Sequence, residues 1–254
     1  MRLVVIIPAF NEAENIVTVI SEFVQVLPEA TIIVVDDGSV DNTAAIAEKT
    51  GAIVIKHPFN LGIGGAVQSG LRVALFLGAD YIIRVDGDGQ HPPDQIPFLL
   101  GMVVNGDADI AIGSRFYFDS TPPPISLPRR IGIFMFCRLT SLFSGYKITD
   151  PTSGFMVMTA QVAACLAYNI AQDYPEVDAR IILSRFGYRV KEVPTKMRVR
   201  QGGVSSITPS RAVYYMFKVT LSVLAARSRK INPIPVTPIF HGRKTVSKTL
   251  PFDH

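Results

Sequence analysis

The chain has 254 residues, enough for one substantial α/β core with elaborations. Its 48% hydrophobic and 18% charged content excludes a disordered or collagen-like chain, and 19 Gly with 18 Pro suit a loop-rich globular enzyme better than a helical bundle. The net charge of +4 conceals an asymmetry, because residues 1–179 hold 10 Lys/Arg against 19 Asp/Glu while residues 180–254 hold 15 against 2. A basic C-terminal third fits an anionic partner, whether nucleic acid, a phosphorylated substrate or an acidic membrane face, or else a solvated basic tail.

In chain order, Leu3 to Ile7 reads as the first buried strand. It stops at Pro8 without a basic lead or cleavage site, so no secretory signal is expected and the protein is assigned to the cytoplasm. Ile16, Ile20, Phe23 and Leu27 then recur on one helical face. Further strands are predicted at Thr31 to Val35, Ala52 to Ile55, Tyr81 to Val85 and Asp109 to Ile112, with crossover helices at Asp41 to Lys49, Gly65 to Leu77 and Pro93 to Val104. This alternation implies a mostly parallel sheet covered on both faces, with ligands at the carboxyl ends of the strands. Beyond residue 115, Pro122 to Pro124 and Pro128 suggest an extended mobile loop, and Ile131 to Tyr146, carrying Arg138, an interfacial or acceptor-side helix. The charge-free window Pro151 to Gln172 holds too many polar residues for a membrane span. Ala212 to Ala226 reads as a helix that lies on a membrane surface or packs on the core, and the prolines after Lys230 as an irregular tail. Cys137 and Cys165 lack metal or disulfide spacing and are expected to be reduced core residues.

The predicted strand exits carry the polar residues: Pro8-Ala9-Phe10-Asn11-Glu12, Asp36-Asp37-Gly38-Ser39 and Asp86-Gly87-Asp88-Gly89-Gln90. Asp86 and Asp88 suit one hard divalent cation, Mg²⁺ or Mn²⁺, bridging diphosphate oxygens. Such a pair alone also fits a solvated turn, but several polar exits on one edge favour the metal. Of Asp36 and Asp37, one suits a base or ribose, and the segment also suits a helix N-cap before Thr43. Gly62 to Gly65 follow the third strand, whereas a dinucleotide fingerprint belongs after the first, which disfavours an oxidoreductase; Gly62 still permits close approach to a nucleotide. His57 and His91 are read as ordinary loop residues, the latter near enough to Asp88 to retain a role. No module for nucleic acid is visible.

Together these motifs resemble family 2 glycosyltransferases of the GT-A fold, in the branch that contains dolichyl-phosphate mannose synthase and bacterial polyprenyl-phosphate sugar transferases. The resemblance covers residues 2 to 210. PAFNE resembles the branch's PxYNE, Asp36 to Ser39 its DDxS, Asn60 to Gly70 its NxGxGxAxxxG and DGDGQHPP its DADxQHPP. It implies an α/β fold with a GT-A, Rossmann-like, mostly parallel sheet in a catalytic domain (1–210); the residues beyond it read as an amphipathic helix (211–230), on a membrane surface or against the core, and a basic, Pro-containing tail (231–254). Pro8, Phe10, Glu12 and Asp36 would contact the nucleotide, with Asp37, Gly62 and Gly87 beside it, and Asp86, Asp88 and Gln90 would hold the metal. Gly113-Ser114-Arg115 resembles the GSR whose Arg faces phosphate, Asp150 to Phe155 the D-x-x-S-G-F acceptor segment, and Glu192-Val193-Pro194 with Arg200, Gly203 and Ser205 the EVP and RxxGxS patterns. Ser206 stands where the mannose-synthase pattern has Lys, which weakens any assignment of GDP-mannose.

The implied activity is an inverting, metal-dependent hexosyl transfer from a nucleotide sugar to dolichyl or undecaprenyl phosphate at the cytoplasmic membrane face. Arg115, Arg130 and Arg200 would hold the acceptor phosphate, with attachment through amphipathic segments, basic residues or a small membrane-protein partner; a homo-oligomer is also open. A hydroxyl acceptor on a lipid-linked or cell-surface polysaccharide would instead need a base, with Asp150 and Asp178 as candidates, the latter also readable as an exposed acid in a helix's first turn. A non-catalytic nucleotide-binding regulator of a membrane partner is the third reading.

Overall fold

The structure is a computed structural model that describes residues 1–117, 127–171, 175–198 and Ser228. The predicted helix over 211–230, apart from Ser228, the tail over 231–254, the proline loop over 118–126 and Arg200 lie outside those residues.

The first half follows the expected alternation: β1 (Leu3–Ala9), α1 (Ile16–Val26), β2 (Thr31–Asp36), α2 (Thr43–Lys49), β3 (Ile53–Lys56), α3 (Ile63–Phe76) and β4 (Tyr81–Arg84). A 3₁₀ turn at Pro93–Gln95 leads into α4 (Ile96–Val104), followed by β5 (Ile110–Ser114) and α5 (Leu127–Ser144). The remainder is β6 (Met156–Thr159), α6 (Ala160–Asn169), α7 (Pro175–Arg185) and β7 (Val190–Pro194).

Seven strands form one sheet in the order β3-β2-β1-β4-β6-β5-β7. Every pairing is parallel except those of β6, which runs antiparallel between β4 and β5. Because β6 separates β4 from β5, the N-terminal strands are one parallel group, and the segment 150–155 that enters β6 arrives at the same edge from which β4 exits.

Alternate strand residues face opposite layers, as the two-residue period requires. Val4, Ile6, Ile33 and Val35 join Leu71 and Ala74 of α3, Val162 and Leu166 of α6, and Ile182 and Leu183 of α7. On the other side, Val5, Ile7 and Val34 pack with Ile16, Ile20 and Phe23 of α1, Ala47 of α2, and Ile96, Leu99 and Val103 of α4. Burial on both faces explains why β1 reads as an unbroken apolar run. Close seating of α3 depends on Gly70, where a Cβ would lie 3.2 Å from Val35 Cγ2 and 3.3 Å from Ile6 Cβ. Thr159 caps α6, its hydroxyl accepting the Val162 N–H at 3.3 Å.

Candidate active site

Parallel pairing brings the exits of β1, β2 and β4 together. Ala9 lies opposite Asp36, and the Asp37 N–H donates to Ala9 O at 2.9 Å. A Cβ at Gly87 would lie 3.3 Å from Pro8 O, 3.5 Å from Ala9 Cβ and 3.5 Å from Glu12 Cγ, so the Asp86–Asp88 turn runs against the first strand's exit. Asn11 takes a positive φ of 55° and is stitched to the second exit, its N–H donating to Ser39 Oγ and its Oδ1 accepting from Val40 N–H, each at 2.9 Å. Glu12 is buried; its N–H donates to Thr43 Oγ1 and its Oε2 accepts from Asn15 Nδ2. Phe10 is 45% exposed at the same rim.

The two acids after β2 have different surroundings. Asp36 is buried, and its Oδ1 has no partner within the protein. A buried carboxylate oxygen left without a donor is costly unless a ligand supplies one. Asp37 is fully engaged: its oxygens accept from Leu61 N–H at 3.0 Å, Gly62 N–H at 2.9 Å and His57 Nδ1 at 2.7 Å. His57 Nε2 lies 2.9 Å from Ser69 Oγ on α3. His57 is therefore not an ordinary loop residue; its nearly buried ring ties the β2 exit to α3 and fixes the loop through Gly62. Gly62 has a φ of 85°, a conformation that favours glycine, as it turns the chain into α3. The N-cap function expected near Thr43 falls to Asp41, whose Oδ1 accepts the Thr43 N–H at 3.0 Å.

After β4, Asp86 lies between Arg84 and His91. Arg84, buried on the strand, directs Nη2 to Asp86 Oδ1 at 3.4 Å and to Glu176 Oε1 of α7. The His91 ring is buried, stacks on Phe155 with centroids 5.0 Å apart, and through Nδ1 accepts the Asp86 N–H at 3.0 Å. That acceptor role places the proton of a neutral ring on Nε2, 3.7 Å from Asp86 Oδ2. Burial lowers the His91 pKa, against the opposing pull of Asp86 and Asp88. Burial acts to raise the Asp86 pKa, but its interaction with His91 and the Arg84 and Arg115 charges outweigh it and hold the carboxyl below its ordinary value. Asp88 Oδ1 accepts the Gln90 N–H at 3.1 Å. Gln90 itself is tied to the C-terminal segment: its carbonyl accepts Arg198 N–H at 2.9 Å, and its amide lies 3.5 Å from Arg198 O.

The described residues contain no group of three or more His, Cys, Asp and Glu arranged for a metal ion. Two carboxylates with hard oxygen donors nevertheless fit Mg²⁺ or Mn²⁺, which takes its remaining ligands from water and substrate phosphates.

The opposite wall comes from β5 and the entry to β6. Arg115 grips Asp150 through Nε at 2.7 Å and Nη2 at 2.9 Å, and Nη2 also reaches Thr152 Oγ1 at 2.8 Å. Asp150 is fully buried. Burial alone would raise its pKa, but the Arg115 hydrogen bonds and charge, with Arg180 behind, lower it. Glu192 of β7 fastens the same segment, accepting from Thr149 N–H and Oγ1 at 2.6 Å each and from Arg180 at 3.1 Å. The two walls meet at Gly154, where a Cβ would lie 2.9 Å from both Asp86 oxygens and 3.0 Å from Arg84 Nη2.

Asp178 is in the first turn of α7, as expected, but is fully buried rather than exposed, and its Oδ2 accepts the Ala171 N–H at 2.6 Å. Arg130 falls within α5. Both cysteines are free thiols; Cys165 is buried, whereas Cys137 is only partly so. Sequence reasoning missed Arg84 and Glu176. An Arg inside an apolar strand, two residues before an acid, was the available signal for the first; nothing local marked the second.

The Glycosyl transferase family 2 profile matches residues 4–166. A UDP-N-acetylglucosamine–dolichyl-phosphate N-acetylglucosaminyltransferase of Methanococcus voltae is 32% identical over 210 residues, covering 75% of this chain and 83% of that protein. A polyprenol monophosphomannose synthase of Mycolicibacterium smegmatis is 31% identical over 229 residues, covering 86% and 85%. Among solved structures, glucosyl-3-phosphoglycerate synthase from Mycobacterium tuberculosis, in complex with Mn²⁺, UDP and phosphoglyceric acid, aligns with a TM-score of 0.68 at 20% identity. That alignment covers 89% of this chain and 78% of the other, and it bears out the GT-A fold. With the profile spanning more than half the chain and relatives above 30% identity along most of their length, the protein belongs to glycosyl transferase family 2 and is a glycosyltransferase.

Proposed function

We infer that the enzyme moves a sugar, with inversion, from a nucleotide sugar to a polyprenyl phosphate at the membrane face. The observation that carries this reading is the engagement of both candidate bases: Asp150 and Asp178 are fully buried and already accept N–H donors. A hydroxyl acceptor needs a base to take its proton, whereas a phosphate monoester brings an oxygen that is already anionic near neutral pH. The names of the two relatives, one a dolichyl-phosphate transferase and the other a polyprenol monophosphomannose synthase, agree with such an acceptor.

The residues divide the work by position. Asp36 offers its unpartnered buried oxygen to an N–H or O–H of the base or ribose, with Phe10 and Glu12 at the same rim. Asp37 acts one step behind, holding Gly62 and the start of α3 so that the backbone can pass close to the nucleotide. Asp86 and Asp88 would hold Mg²⁺ or Mn²⁺, which supplies positive charge to the diphosphate oxygens as the bond to the anomeric carbon breaks. Asp150 orients Arg115 across from Asp86, so that the guanidinium faces the acceptor phosphate; the sequence resemblance adds Arg130 and Arg200 as candidate ligands of that phosphate. The acceptor oxygen forms the new bond to the anomeric carbon as the nucleoside diphosphate leaves with the electron pair.

The test is turnover of a panel of labelled nucleotide sugars, with Mn²⁺, against a polyprenyl phosphate and the matching polyprenol. Label in an acid-labile product of the phosphate alone is expected. Label carried by the polyprenol instead would overturn the assignment.

A further inference from the structure

An arginine at the end of a buried strand needs a reason. Arg84 closes β4 with its side chain only 3% exposed. A buried ion pair can often be replaced by apolar residues of similar volume without loss of stability, so stability alone does not account for it. Two acids face Arg84. Its Nη2 hydrogen-bonds Glu176 Oε1 of α7, while Asp86 Oδ1 stands 3.4 Å away, beyond the roughly 2.7–3.2 Å of an ordinary N–H···O bond. Arg84 Nε is buried with no partner among the described residues. One guanidinium therefore lies between two carboxylates, and Glu176 is the one that holds it.

The two acids differ in what else can reach them. The Glu176 side chain is 14% exposed, whereas that of Asp86 is 35% exposed at the exit of β4, so Asp86 is the acid able to meet a ligand. Its backbone is fixed independently, because the N–H donates to His91 Nδ1 at 3.0 Å. Without the Glu176 charge, Arg84 would keep only Asp86 as an ion-pair partner among the described residues, and a buried cation that loses its partner is costly. The guanidinium would then close on Asp86. Arginine and carboxylate pair through two parallel bonds, and such a pair would occupy the oxygens that a divalent cation needs.

We propose that Glu176 is a positioning residue for the metal site: by holding Arg84, it keeps the Asp86 carboxylate open to Mg²⁺ or Mn²⁺. The proposal rests on the assignment of Asp86 and Asp88 to the metal and adds the residue of α7 that makes Asp86 a usable ligand. An acid in the first turn of α7 also suits the helix dipole, but that role alone would change stability and leave metal affinity as it is.

Uptake of Mn²⁺ by the full chain, read from loss of the free-ion electron paramagnetic resonance signal, tests this without turnover; each protein is measured with Mn²⁺ alone and with UDP or GDP present. Glu176→Gln is expected to weaken uptake about tenfold or more, the effect of losing a partner behind a metal ligand. Glu176→Asp, which keeps the charge, should weaken it less. The double variant Arg84→Met with Glu176→Gln carries neither charge and should take up Mn²⁺ nearly as tightly as the unmodified protein, because the competing cation is gone. In transfer assays Glu176→Gln should need about tenfold more Mn²⁺ to reach half its plateau rate, with the plateau itself far less affected. Uptake by folded Glu176→Gln equal to that of the unmodified protein would overturn the proposal, whatever its melting temperature. A double variant that binds Mn²⁺ at least about tenfold more weakly than the unmodified protein would also overturn it, since Glu176 would not then act through Arg84; this comparison decides the matter if Glu176→Gln alone does not fold. No uptake by the unmodified protein under any of these conditions removes the metal assignment and this proposal with it. Transfer to a polyprenyl phosphate is read separately, so its failure removes the functional reading and leaves the Mn²⁺ comparison intact.

Discussion

His57 shows how much of a site can rest on one side chain away from the chemistry. It joins Asp37 to Ser69, and Asp37 holds the Leu61 and Gly62 amides. His57→Ala should lower the unfolding free energy by about 1–3 kcal/mol, the cost of leaving a buried acceptor short of a partner; a urea midpoint equal to that of the unmodified protein would contradict this. Asp150 gives a pH prediction. Its pKa is lowered in the folded state, so its contribution is complete above the ordinary carboxylate range, near pH 4, and is lost as pH falls through the folded value. The stability gap between the unmodified protein and Asp150→Asn should therefore narrow below about pH 4; a gap that widens there would show that the Arg115 contact does not hold the charge. Neither His57 nor the burial of Asp178 was legible in the sequence, because each depends on a partner set by the fold: Ser69 lies 12 residues away, and Ala171 seven residues before Asp178. Asp36, Asp86 and Asp88 were legible because each stands where an apolar run meets a turn.

At the scale of elements, the strands buried on both faces announced themselves through β-branched runs, and the β1 to β5 expectations needed only shifts of one or two residues at their ends. The antiparallel β6 was hidden because Met156–Thr159 sits within a long charge-free stretch, where a buried strand and the buried side of α6 have the same composition. Its consequence is functional: insertion between β4 and β5 carries Gly154 against Asp86. Gly154→Ala would drive a methyl group to 2.9 Å from both Asp86 oxygens and displace them. The expected result is a loss of about a hundredfold in transfer rate, the scale of an ångström's misplacement, with little change in melting temperature. Near-normal transfer by a folded Gly154→Ala enzyme would separate Asp86 from the chemistry.

Across the whole molecule, a three-layer sandwich places the carboxylates of the β1, β2 and β4 exits at one edge and the Arg115–Asp150 wall opposite, with α5 behind that wall. The charge asymmetry seen in the sequence has a counterpart here: acids gather at the exits of β2 and β4, while α5 carries only positive charge. Among the described residues, no helix is long and apolar enough to cross a membrane. The reading proposed for the site has the acids that follow β4 serve a diphosphate donor whose sugar passes to a lipid phosphate. Its most direct test is the initial rate at which label from a nucleotide sugar enters polyprenyl phosphate as Mn²⁺ is raised, for the unmodified enzyme and for Asp88→Asn. A rate that rises with Mn²⁺ to a plateau, and falls at least about a hundredfold in the variant, is the predicted result; full transfer by Asp88→Asn, or transfer unaffected by removing divalent cations, would contradict it.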